Sequence, residues 1–139
     1  MSVPVLHESE VEELDLPGRR FRWLVADGRI PSDHCSACVI RVFPGDRVRP
    51  AHSHPHSEEV IYILSGSGRV LVDGEVAPVR AGSTVLFPQG AVHMLHNTSS
   101  EEMKVVCFFA PATTLDNYKI HEGVDFPDFM CQRDGPAVE

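Results

Sequence analysis

A chain of 139 residues with 42% apolar and 23% charged side chains is long enough to bury its own core and carries no signature of disorder. Its net charge of −8 repels a nucleic-acid backbone, and its basic residues stand singly except at Arg19 and Arg20, so no basic patch invites phosphates. No apolar run approaches a membrane span, and the acidic opening "MSVPVLHESEVEELDLPG" lacks the apolar region of a secretory signal, so a cytoplasmic protein is expected.

The first twenty residues are polar with scattered apolar positions and predict an edge strand or a short helix. Short runs rich in Val, Ile and Phe then follow one another: 21–25, 37–43, 60–64, 69–72, 83–87, 92–95 and 103–109. Gly, Pro, Asp and Asn punctuate them, and "RVLVDGEV" carries an Asp73-Gly74 hairpin turn. No segment between 20 and 110 sustains a helical period. Many short strands at this spacing predict an all-β sandwich or barrel. Residues 111–139 hold enough apolar groups to pack on it, with a frayed end over 131–139. One domain is expected, with its core at about 35–110, an N-terminal strand or arm over 1–30 and a C-terminal extension over 111–139.

Cys35 and Cys38 are spaced as CxxC, but a strand-like run follows them rather than a helix. Residues three apart on a strand face opposite sides, so one thiol is expected inside and one outside.

The stretch "AHSHPHSEEVIYILSG" (51–66) sets His52, His54 and His56 at alternate positions. On a strand, His52 and His54 share a face, and Glu59 can return a carboxylate toward them after a short turn. Two imidazoles and a carboxylate on one face form a partial ligand set for a divalent metal. In "GSTVLFPQGAVHMLHN" (82–97), the Pro88–Gly90 turn can aim His93 at the same interior point. His56 continues the alternation and is a weaker candidate for ligation or catalysis, reading first as a rim group. Tyr62 is a candidate acid or base that alternation turns to the opposite face. His96 alternates away from His93 and is expected to face outward or across an interface. His7, His34 and His121 read as surface residues.

Together these residues resemble the cupins. His52, His54, Glu59 and Gly66 fit that family's first motif, G-x5-H-x-H-x3-4-E-x6-G, although Gly45 precedes His52 by one residue too many. Gly82, Pro88, Gly90, His93 and Asn97 fit the second, G-x5-P-x-G-x2-H-x3-N, at every spacing. With a single motif pair, the chain resembles a one-domain cupin. The resemblance implies a jelly-roll β-barrel holding one divalent transition metal, Fe, Mn, Ni, Zn or Cu, on His52, His54, Glu59 and His93. It also implies a homodimer.

Such a centre leaves one or two positions open for a substrate or dioxygen. Wall candidates are Ile40, Val42, Ile61, Ile63, Phe87, Leu95, Phe108 and Phe109, with Trp23 and Met103 at the mouth. Arg41, Arg49 and Lys104 are the only cations read as able to approach, so a weakly polar small molecule is the expected substrate. An Fe(II)-type dioxygenase is the leading expectation. A redox-neutral isomerase or lyase, and a small-molecule binding or sensing protein without turnover, are the alternatives. Cys107 lies on the last apolar strand, either buried or lining the pocket. Residues 115–130, with Tyr118, Phe126 and Phe129, either cover the barrel mouth or lie along a dimer seam.

Overall fold

The structure is a computed structural model describing residues 2–133, with side chains through Met130. Of the end expected to fray, residues 131–133 are helical and residues 134–139 lie outside the described residues.

Two antiparallel sheets face each other. The first is ordered β1 (Leu14–Leu16), β2 (Arg19–Val25), β3 (Ser36–Val42), β10 (Met103–Ala110), β5 (Glu58–Ser65) and β8 (Thr84–Phe87). The second is ordered β11 (Lys119–Ile120), β4 (His52–Ser53), β9 (His93–Asn97), β6 (Ser67–Val72) and β7 (Glu75–Arg80). This is the jelly roll that the cupin resemblance implies, within the all-β architecture expected from the strand pattern. A short 3-10 turn (Glu8–Glu10) precedes β1, so the N-terminal segment supplies both a helical turn and an edge strand. A second turn (Leu115–Asn117) and the helix α1 (Pro127–Arg133) flank β11. Among the described residues no helix is long and apolar enough to cross a membrane.

Alternation decides what faces inward. On β5, Glu59, Ile61 and Ile63 are buried while Tyr62 and Leu64 are exposed. On β10, Met103, Val105, Cys107 and Phe109 point in, and Phe108 stands outside at 49% exposure. Phe108 is therefore not part of the wall: a period of two puts it on the opposite face from Cys107 and Phe109. The turn between β6 and β7 is the expected hairpin. Asp73 (φ 47°) and Gly74 (φ 88°) both take left-handed φ, as a two-residue turn between right-twisted strands requires.

A second, smaller core lies outside the five-stranded sheet. Met94 and Leu71 on its outer face meet Ala51 and Phe126, which is fully buried. The C-terminal segment thus closes over the sheet. It buries His96 to 8% exposure against Phe126 and Phe129, and Arg69 donates a hydrogen bond to its Nδ1. His96 does leave the barrel interior, as expected, but this chain's own C-terminal segment covers it.

Candidate metal centre

Three elements and one loop bring the four donors together. His52 on β4 pairs in register with His93 on β9, in the five-stranded sheet. His54 follows directly after β4, and Glu59 projects from β5 in the opposite sheet. The turn before β9 is tied to this group: the Gly90 N–H donates to His54 O at 3.0 Å, with Gly90 at φ 79°, where a side chain would strain the backbone. Asn97, the last residue of the second motif, has a structural role. Its buried amide donates to the carbonyls of Val42 and Glu101.

One ligand atom from each of His52, His54, Glu59 and His93 lies within 4.8 Å of the other three, and all four residues are buried. His52 and His93 each turn Nδ1 to a carbonyl two residues earlier, Pro50 O at 3.2 Å and Ala91 O at 3.0 Å. A ring that donates there through Nδ1–H presents a bare Nε2 to the centre, the tautomer that binds a metal. His93 Nε2 is buried with no hydrogen-bond partner, although it lies 3.1 Å from Glu59 Oε1. His54 Nε2 approaches the same oxygen at 2.9 Å. An orphaned buried nitrogen beside a shared carboxylate oxygen is what a cation would resolve, so the donor set fits a divalent ion.

The electrostatics agree. Burial, and then the neighbouring His93, push the His52 imidazole down to about 3, so it is a neutral ligand at ordinary pH. Burial alone would raise the Glu59 carboxyl, but the contact with His54 and the nearness of the His93 imidazole outweigh it and keep the group ionised far below the usual range.

His52, Glu59 and His93 line a small cavity of about 30 Å³, room for a water or two. Most of its wall is apolar, with Phe21, Ile40, Ile61, Phe87, Leu95 and Phe109 facing it. Val42, Ile63 and Met103 instead fill the barrel core away from the cavity, and Trp23 packs on the rings of Phe21 and Phe109. Cys38 and Cys107, partners across β3 and β10, are free thiols in the wall, while Cys35 is exposed. Hydrogen bonding to Cys38 and burial push the Cys107 thiol up, so it is not a thiolate.

Of the wall residues absent from the sequence candidates for the wall, two bring polar chemistry to it, Tyr118 and Arg19. Tyr118 stacks on His52 and meets His54 edge-on, and burial keeps its phenol protonated well above the ordinary value. Its segment is fastened beside the site: Lys119 and Ile120 pair with Ser53 and His52, and the ring of His121 is 3.0 Å from Ser53 Oγ. The 115–130 segment therefore closes the barrel mouth through Tyr118, and His121 is half-buried rather than free on the surface. Arg19, the first residue of β2, reaches the cavity at 6% exposure. Only the adjacency of Arg19 and Arg20 marked that position in the sequence, and adjacency does not tell which of the two points inward.

The other candidates lie elsewhere. Tyr62 is 42% exposed on the outer face of β5, and His56 is exposed in the loop before it. Arg41 pairs with Glu13 and Glu102, Lys104 with Glu8, and Arg49 with Asp46, all away from the cavity.

The cupin-domain family matches residues 38–109 of this sequence. The chain is a cupin. Among curated proteins it is 37% identical over 68 residues to the polyketide synthase CurC of Streptomyces cyaneus, covering 49% of this cupin and 44% of CurC. It is 36% identical over 73 residues to protein SchB of Streptomyces halstedii, covering 52% of each. It is 33% identical to an oxalate decarboxylase of Arthroderma benhamiae, over 69% of this chain and 24% of that one. The matched stretch thus spans about half the length of the first two relatives, and less of the third. Among solved structures, Streptomyces PAC13 with uridine superposes at a TM-score of 0.73, with 17% identity, over 90% of this chain and 95% of that one. The polyketide cyclase RemF of Streptomyces resistomycificus gives 0.71, with 18% identity, over 97% and 95%. At those identities the superpositions speak to the fold.

Proposed function

We propose that this cupin is a metal-dependent enzyme performing a redox-neutral reaction, an elimination, cyclisation or isomerisation, on a small organic molecule. The observation that carries this reading is the meeting of four imidazole and carboxylate donors with a protonated phenol in one buried, largely apolar cavity. His52, His54, Glu59 and His93 hold one divalent transition ion in this reading. When bound, such an ion supplies Lewis acidity to a substrate oxygen. Tyr118 is the group placed to give a proton to an oxygen that leaves or gains charge. Phe87 and Phe109 keep water from that oxygen, which strengthens every polar contact inside.

The related proteins are called a polyketide cyclase, a nucleoside dehydratase and an oxalate decarboxylase. Those three names describe reactions that need no outside oxidant, and this favours the lyase and isomerase side of the sequence expectation over a dioxygenase. The cavity wall supports the same choice, because an oxygen-activating ion beside the free thiols of Cys38 and Cys107 would put them at risk of oxidation. Free thiols also suit a reducing compartment such as the cytoplasm.

The test is metal analysis of untagged protein beside His52→Ala and His93→Ala, followed by anaerobic substrate screening of the loaded wild type. About one ion per chain, lost in both variants, with turnover in the absence of dioxygen, is expected. An ion content unaffected by both substitutions sinks the site, and turnover that consumes dioxygen sinks the redox-neutral assignment.

A further inference from the structure

Six described arginines, at 20, 22, 41, 47, 49 and 69, form ion pairs with carboxylates. Arg19 is more buried than any of them and has no ion pair among the described residues. Its Nη1 donates to two main-chain carbonyls, Pro17 O at 3.1 Å and Arg49 O at 3.3 Å. These carbonyls hold the guanidinium in place without neutralising it. Burying a full charge that no contacting carboxylate neutralises is costly, and a guanidinium cannot escape the cost by losing its proton.

The same cavity holds one carboxylate, Glu59. In the metal-free chain Glu59 and Arg19 balance. With a divalent ion on the four donors, one carboxylate against the ion and one guanidinium leaves two net positive charges in a small, poorly hydrated space.

We infer that Arg19 is a binding residue for the carboxylate group of a small organic acid, a group that needs little more room than the water or two the cavity admits. A planar guanidinium matches a carboxylate in shape and charge, and Arg19 is the one cationic side chain lining this cavity. The charge-excess part rests on the metal reading above; the position of Arg19 does not. This inference departs from the expectation of a weakly polar substrate: the wall is apolar, but it contains a cation the strand pattern did not reveal.

The test uses acetate against acetamide, an uncharged mimic of the same shape, on metal-free and Zn(II)-loaded protein at constant ionic strength, read as thermal shifts. Acetate is expected to raise the melting temperature where acetamide does not, and more so after Zn(II) loading. Arg19→Gln should weaken the apparent acetate affinity about tenfold or more, the scale of a lost charge-assisted hydrogen bond. Arg19→Lys should retain part of it. Equal acetate shifts in wild type and Arg19→Gln, or equal shifts from acetate and acetamide in wild type, overturn the assignment. If Arg19→Gln does not fold, the wild-type contrast and Arg19→Lys still decide it. Failure of the wild type to take up Zn(II) overturns the metal reading, and the metal-free acetate contrast then judges Arg19 separately.

Discussion

Tyr118 lies flat on His52, with ring centroids 4.8 Å apart and planes 16° apart, although sixty-five residues separate them. This contact places a phenol over the donor cluster and makes its hydroxyl separable from its ring by substitution. Tyr118→Phe keeps the stack and removes only the O–H. Metal content and stability should stay near wild type, within about 1 kcal/mol, while turnover of any substrate found falls by roughly 100-fold or more, the scale of a lost proton donor. Tyr118→Ala removes the ring as well and should lower stability by about 3 kcal/mol. Metal analysis, denaturation and kinetics on the two variants separate these effects.

Four buried donors, with an orphaned ring nitrogen on each of His54 and His93, describe a site that a cation stabilises. Saturating Zn(II) at about 1,000 times its dissociation constant adds about 4 kcal/mol to the folded state, which for a chain this size means a rise on the order of 10 °C. A chelator should reverse it. The same titration on Glu59→Gln should show most of the gain lost, because a neutral amide replaces the only anionic donor. A melting temperature indifferent to Zn(II) and chelator in wild type would count against the centre.

The cluster of His52, His54, Glu59 and His93 and most of the fold were legible because both rest on short-range rules. Alternation placed Glu59, Ile61 and Ile63 on one face, and the two motif spacings delivered His93 to His52 across a single register pair. What could not be read depends on long-range packing. Tyr118 reaches the site because β11 pairs with β4, and a two-residue strand leaves no periodic trace in the sequence. Arg19 and Arg20 are neighbours of the same type, and only the register of β2 against β3 decides that the first goes inside. His96 and Phe108 both leave the barrel interior, and only the C-terminal segment makes one covered and the other exposed.

Acid should unfold the metal-free protein earlier than carboxylates alone would predict. His52 has its ordinary value of 6.5 in the unfolded chain and about 3 in the folded one, because burial opposes its charge. Its contribution is complete above pH 6.5 and is lost progressively as pH falls toward 3, at up to about 1.4 kcal/mol per pH unit. Glu59, also lowered on folding, keeps its contribution above about 4.5 and loses it only further into acid. Urea midpoints of the metal-free protein should therefore drop between pH 7.5 and pH 5.0, and His52→Asn should flatten that slope. Equal midpoints at the two pH values would refute this.

Phe126 is fully buried beneath the C-terminal segment, with the Arg69 guanidinium 4.3 Å from its ring centre. Beside it, Asp125 takes a two-pronged ion pair from Arg47, with N–O distances of 3.0 and 2.9 Å. Phe126→Ala should cost about 3–5 kcal/mol, the range for emptying an aromatic site in a packed core. This segment also carries Tyr118, so protease sensitivity between residues 111 and 126 should rise along with the stability loss. A change under 1 kcal/mol would mean that the cover contributes little to holding the fold.

The homodimer that the sequence resemblance implies is best tested at the outer face of the six-stranded sheet. Phe108, Val60 and Leu86 lie in one register row across β10, β5 and β8, and Tyr62 and Leu64 extend the patch. Phe108 is 49% exposed and Leu86 51%, and β8 is an unpaired sheet edge, a surface that invites a second copy. Val3 and Val5 point into solvent at 77% and 80% exposure on an extended segment, which suits an arm that packs on a partner. Light scattering should give twice the 15.4 kDa chain mass for wild type. Phe108→Asp with Leu86→Asp should give the single-chain mass and still melt cooperatively, because neither side chain enters the core. A wild type that runs as a monomer at micromolar concentration would leave this face without its partner.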